Sequence, residues 1–169
     1  MSYADCDCWC CCGEGGEIDA DYWRVKDFRF LSFGAGIQST ALMLLEDFDE
    51  IIFADTGAEK PETYDYIEKF VRPYLTAKGT RFTVVRAKES IIDYCLRTRN
   101  IPSIRYRLST RVFKIRPMQR YIRKSGHELP VRCAIGISTD EIERAKARID
   151  LNEWKVEYPL IERGLSRSD

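Results

Sequence analysis

Short apolar runs alternate along this chain with stretches of helical period. Phe28–Phe33 (FRFLSF) is a strand-length run of β-formers ended by Gly34-Ala35-Gly36. Helical spacing follows, with Ile37, Ala41, Leu42, Leu44 and Leu45 on one face. Glu50–Ala54 (EIIFA) is a second strand, closed by Asp55-Thr56-Gly57. Pro61 then opens a helix to about Ala77 that turns Tyr64, Ile67, Phe70, Val71 and Tyr74 inward and stops at Gly79. Arg81–Arg86 reads as a third strand, and Glu89–Arg99 as a helix with Cys95 in a core position. Asn100–Ser109 is a loop, and Pro117 suits the first turn of a helix ending at Lys124. Val131–Ile137 is a fourth strand, Thr139–Arg148 a helix and Trp154–Tyr158 a fifth strand.

Such alternation predicts an α/β fold: a three-layer, Rossmann-like, mostly parallel five-stranded sheet with helices on both faces and right-handed crossovers. The length, 169 residues, fits one such domain over residues 28–169, preceded by a flexible leader, residues 1–27. Hydrophobic residues at 44% and charged residues at 32% are the balance of a globular protein. No run of ~20 apolar residues offers a membrane span. Met1–Tyr22 lacks the basic start and apolar stretch of a secretion signal, so a cytoplasmic location is expected.

The zero net charge hides blocks of opposite sign. Arg97–Arg132 holds eleven Lys and Arg against one acid, Glu128, whereas Glu46–Lys69 carries nine acids and two lysines. A basic block of this kind fits either a nucleic-acid partner or an acidic face of the same molecule. Five of the seven cysteines, Cys6, Cys8, Cys10, Cys11 and Cys12, lie in the acidic leader. Cys8 and Cys11 have the C-x-x-C spacing that can hold zinc or an iron–sulfur cluster. No second pair follows before Phe30, so the preferred reading is a loose acidic leader that happens to carry thiols. Cys133, in VRCAIGI, reads as a buried structural thiol, and the single His127 as a surface turn residue.

In parallel sheets ligands sit at the carboxyl ends of the strands. The turn there is Ser32-Phe33-Gly34-Ala35-Gly36-Ile37-Gln38-Ser39-Thr40. Its small residues admit a ligand to the backbone, and Ser39 and Thr40 add hydroxyls at a helix start, where free N–H groups favour phosphate. It is neither G-x-G-x-x-G nor a Walker A loop.

SFGAGIQSTALMLL resembles the pyrophosphate loop of the adenine nucleotide α-hydrolase superfamily, written S-G-G-x-D-S. FADTGAEKPETYDYI is similar to the D-T-G-x-x-F-x-E-T segment of the phosphoadenosine phosphosulfate (PAPS) reductase family. STRVFKIRPM resembles that family's C-C-x-x-x-K-x-x-P-L, and IGISTDEIERAK its final nucleotide-side strand end and helix. The resemblance implies an adenine nucleotide, ATP or PAPS-like, held by Ser32, Gly34, Ala35, Gly36, Gln38, Ser39 and Thr40. It also implies that Ala54, Asp55, Thr56 and Gly57 border base and phosphates, and that Lys114, with Arg111 and Arg116, meets the anionic end. Guanidinium and ammonium groups pair well with phosphate and sulfate oxygens.

Several positions depart from the family. Gly164–Asp169 holds no cysteine of the kind reductases use in their tail, and Ser109-Thr110 stands where one branch has two cluster-binding cysteines. Ser138 replaces a family arginine, and Gln38 replaces the loop aspartate, which weakens a magnesium site there. The expected activity is therefore at the α-phosphate or sulfate end of ATP, PAPS or adenosine phosphosulfate, in sulfur metabolism or sulfur transfer. A magnesium ion would assist if the α–β bond is cleaved. The alternatives are a nucleic-acid modifying enzyme that adenylates its target, with the polymer on the basic block, and a non-catalytic nucleotide-binding module.

Overall fold

A computed structural model describes residues 28–101, 109–146 and 152–169. The leader and its five cysteines lie outside these residues, as does part of the basic block. Strand β1 spans Arg29–Phe33, β2 Glu50–Asp55, β3 Arg81–Arg86, β4 Val131–Ile135 and β5 Trp154–Glu157. They form one sheet in the order β3-β2-β1-β4-β5, and every pairing is parallel.

Side chains alternate across the sheet, so each strand feeds two cores. Leu31, Phe33, Ile51, Phe53 and Ala134 face one layer, where Leu42 and Met43 of helix α1 (Ile37–Leu45) meet Ile67, Val71 and Leu75. Phe30, Ile52, Ala54, Val131 and Cys133 face the other, which Met118 and Ile122 close. All six residues of β2 are buried, as expected for a central strand covered on both sides.

Two helices carry a widened turn. Helix α2 runs as Pro61–Tyr66, a π segment Ile67–Val71 and Arg72–Lys78. After α3 (Ile91–Thr98), helix α4 starts as a π segment, Thr110–Ile115, and continues as Arg116–Lys124. Both π segments directly precede an Arg-Pro pair, Arg72-Pro73 and Arg116-Pro117. A proline inside a helix has no N–H for the carbonyl four residues back and crowds it, so the preceding turn opens to i→i+5 bonding. Arg72 N–H duly bonds Ile67 O, and Arg116 N–H bonds Arg111 O.

The structure corrects several readings, the first two through these widened turns. Pro117 lies inside a helix that begins seven residues earlier, because the π turn absorbs it. Phe70 points outward at 63% exposure, since the buried face of α2 runs Ile67–Val71–Leu75. Cys95 is only half-buried, because α3 buries none of its residues. Ile37, Leu44 and Leu45 of α1 are also exposed, and Leu42 and Met43 carry the packing. After β4, a 3₁₀ turn (Thr139–Glu141) leads into α5 (Ile142–Lys146), and β5 leads into α6 (Pro159–Glu162). Among the described residues no helix is long and apolar enough to cross a membrane.

Candidate functional site

β1 connects outward to β2 and β4 connects outward to β5, so the strand order reverses between β1 and β4. That junction opens a crevice at the strand ends. A cleft of about 660 Å³ lies there. Ser32, Gly34, Gly36, Gln38 and Ser39 line one wall, Ser109, Thr110, Lys114 and Met118 of α4 another, and Gly136, Ile137, Arg144, Trp154 and Val156 the floor and far side.

The β1–α1 turn is held open from within. Ser39 Oγ donates to Gly36 O at 3.0 Å and accepts the Gly34 N–H at 3.4 Å, so this hydroxyl braces the turn. Ala35 sits at φ +54, a left-handed conformation a non-glycine residue rarely takes. Gly36 caps α1 without a side-chain acceptor, and the N–H groups of the first turn stay available. A Cβ on Gly34 or Gly36 would meet nothing within 4 Å, so those two positions expose backbone to the cleft. Gly136 is the opposite case. A Cβ there would stand 2.7 Å from Ser39 N and 2.9 Å from Gln38 C, because the β4 exit packs directly on the start of α1. Gln38 Nε2 reaches across the same junction to Glu141 Oε2 at 3.0 Å and Ser138 Oγ at 3.5 Å.

Two cations line the cleft. Lys114 Nζ is 3.9 Å from Glu59 Oε1, and Arg144 Nη1 is 2.6 Å from Glu141 Oε1. Arg111 and Arg116 do not join Lys114: both are exposed and neither lines the cleft. The helix turns Lys114, Ile115 and Met118 toward the sheet, which carries Arg116 to the far face.

The segment after β2 holds a different position from the one its motif implies. Ala54 is buried in the core, and none of Ala54, Asp55, Thr56 and Gly57 lines the cleft. Asp55 accepts the Gly57 N–H at 2.8 Å, the Tyr64 hydroxyl at 2.7 Å and Arg86 Nε at 2.8 Å, all at the β2–β3 edge. Burial alone would raise its carboxyl pKa, but Gly57, Tyr64 and Arg86 together hold it below the usual carboxylate range. Gly57 takes φ +72, and a Cβ on it would strike Ser90 Cβ at 2.7 Å. Thr56 Oγ1 donates to Glu59 Oε1 at 3.2 Å, so this segment reaches the cleft through Glu59 and Lys114. Thr40 also turns away from the cleft and accepts the Tyr66 hydroxyl at 3.3 Å.

The resemblance put the IGISTDEIERAK segment on the nucleotide side without singling out Gly136 or Arg144, and the apolar wall from Met118 to Trp154 was missed. Arg144 was hidden in an ordinary amphipathic helix. Gly136 carried a signal, a glycine at a strand end after an apolar run. Cys133 is fully buried beneath the floor, and burial, with a smaller contribution from Glu157, raises its thiol pKa far above the ordinary range. Among the described residues no group of three or more His, Cys, Asp and Glu could hold a metal ion. Ser109 and Thr110 do open onto the cleft, but hydroxyls do not supply the thiolate donors an iron–sulfur cluster needs, so these residues do not fit one.

A parallel sheet with a cleft at its switch point, a glycine turn and cations on the cleft walls is an α/β arrangement suited to an anionic ligand. Residues 29–150 match the phosphoadenosine phosphosulfate reductase domain, and the chain belongs to that family. It is 33% identical over 101 residues to an uncharacterized protein of Methanocaldococcus jannaschii, a match covering 55% of this chain and 22% of that protein. The chain thus spans about a fifth of that relative's length. The crystal structure of phosphoadenylyl-sulfate (PAPS) reductase from Candida auris, a phosphate complex, overlays with a TM-score of 0.49 at 19% identity, covering 82% of this chain and 69% of that one.

Proposed function

We propose that this chain binds an adenine nucleotide with its phosphates on the β1–α1 turn and acts at the α-phosphate or sulfate end, in sulfur transfer chemistry. One observation carries the reading. Gly34 and Gly36 leave their backbone open beside an uncapped helix start, and Lys114 and Arg144 line the same cleft. Such a site attracts phosphate through free N–H groups, the helix dipole and charge-assisted hydrogen bonds. The cleft continues over Met118, Ile137, Val156 and Trp154, an apolar wall suited to the face of a base. Its volume is that of an ordinary small-molecule site.

The described lining, with its hydroxyls and cations, suits transfer at phosphorus. With ATP, the step we propose is attack by a nucleophilic oxygen or sulfur of an acceptor on the α-phosphorus, its proton passing to solvent, as the bond to the α–β bridging oxygen breaks and pyrophosphate leaves with the electron pair. With PAPS or adenosine phosphosulfate the same displacement would expel sulfate. The turn N–H groups and Lys114 stabilise the charge gathering on that leaving group. Arg144 and Lys114 each hold a carboxylate, Glu141 and Glu59, which an entering phosphate displaces.

Calorimetric titration with ATP, PAPS, adenosine phosphosulfate and adenosine tests this. The expected result is saturable binding of one or more of the three anions at least tenfold tighter than adenosine. Equal affinity for adenosine, or no binding of any of them, overturns the proposal.

A further inference from the structure

Helix α4 has a second cationic face, pointing away from the cleft. Arg116, Arg120 and Lys124 recur every four residues, so they stack along one side of the helix. The π segment adds a fourth. In a regular helix Arg111 would fall well off the line of Arg116, but the Arg116 N–H···O Arg111 bond places it one widened turn before. All four side chains are exposed, and among the described residues none has an ion pair. The neighbouring Arg123 lies on the same side and is held by Glu153 at 2.5 Å. No acid occurs between Arg97 and His127 in the sequence.

We propose that this ridge binds the sugar–phosphate backbone of a nucleic acid. Arg116 to Lys124 spans about 12 Å and Arg111 adds another turn, so single-sign charge repeats along a straight line. A polyanion with one charge every few ångströms matches that repeat. A folded acidic protein fits less well, because protein interfaces centre on apolar and aromatic anchors, and between these four residues only Gln119, Arg123 and buried or half-buried side chains occur. Lys114 leaves the same helix on the cleft side, so ridge and nucleotide site are separate surfaces.

The test is fluorescence anisotropy of the full chain with labelled 20-mers of single-stranded DNA, single-stranded RNA and duplex DNA across a salt series, with poly-glutamate as competitor. Binding of at least one oligomer is expected, with a log–log salt slope of about −3 to −4, set by four phosphate contacts. R116E/R120E is expected to weaken binding at least tenfold at 100 mM salt and to roughly halve the slope. Its melting temperature and its ATP titration should match the parent, which separates this proposal from the nucleotide reading. No binding at 50 mM salt, a slope shallower than about −1, an unaffected double variant or equal competition by poly-glutamate each overturns it.

Discussion

Gly136 and Ser39 meet backbone to backbone: a Cβ added to Gly136 would lie 2.7 Å from the Ser39 nitrogen. The end of β4 therefore sets the position of the first turn of α1, and with it the N–H groups that face the cleft. Gly136→Ala must push that turn, at a cost of about 1–3 kcal/mol. Gly34→Ala meets no protein atom and fills space above the turn instead. We expect G136A to lower the melting temperature by several degrees, and G34A to leave it nearly unchanged while weakening ATP at least tenfold. Calorimetry and a thermal melt of each variant separate the two effects.

Lys114 and Arg116 are two residues apart and face opposite ways. Lys114→Ala is expected to weaken nucleotide binding about tenfold, the loss of one charge-assisted contact of roughly 1.4 kcal/mol. Arg116→Ala should leave nucleotide affinity unchanged. Equal losses in both would contradict the placement of the cleft.

Asp55 and Glu157 are carboxylates held below their ordinary pKa by their partners, despite burial that acts the other way. Glu157 accepts Arg132 at 2.5 Å and Arg29 at 3.0 Å, and Arg29 continues to Glu46 at 2.6 Å. A depressed carboxylate contributes stability that is complete above its unfolded value, about 4, and is lost as pH falls through the lower folded value. The melting temperature should therefore hold from pH 7 to about pH 5 and decline below pH 4. Asp55→Asn removes the charge from the buried hydrogen-bond cluster while the exposed Arg86 stays solvated, with an expected cost of about 1–3 kcal/mol at pH 7 and a flatter acid limb. A D55N profile parallel to the parent's would contradict this linkage.

Cys133 is fully buried with a raised thiol pKa, whereas Cys95 is half-buried on α3. Alkylation of the native protein at pH 8, read by peptide mass spectrometry, should label Cys95 and spare Cys133 until the protein unfolds. Cys133→Ala should leave nucleotide affinity unchanged. Early labelling of Cys133 would contradict its burial.

Strand positions and the glycine turn were legible because they depend on local pattern: apolar runs such as EIIFA and small residues after FRFLSF. The widened turns were not, because Pro117 reads as a helix start when only the residue and its neighbours are weighed, and Pro73 falls inside the apolar helical pattern that runs from Pro61 to about Ala77. That phase shift moved Phe70 outward and extended α4 back to Thr110. Asp55 was legible as part of a motif but not as a brace. Its partners Tyr64 and Arg86 lie 9 and 31 residues away, and only the β2–β3 register brings Arg86 alongside. Arg144 reached the cleft through the path of α5, which no local pattern encodes.

Amide chemical shifts recorded as ATP, or PAPS, is titrated into the protein test the central claim most directly. Saturable shifts should concentrate at Gly34, Gly36, Ile37, Gln38, Ser39 and Gly136, and Lys114→Ala should move the midpoint to higher ligand concentration. Shifts confined to β3 and α3, with the β1–α1 turn unmoved at saturation, would contradict it.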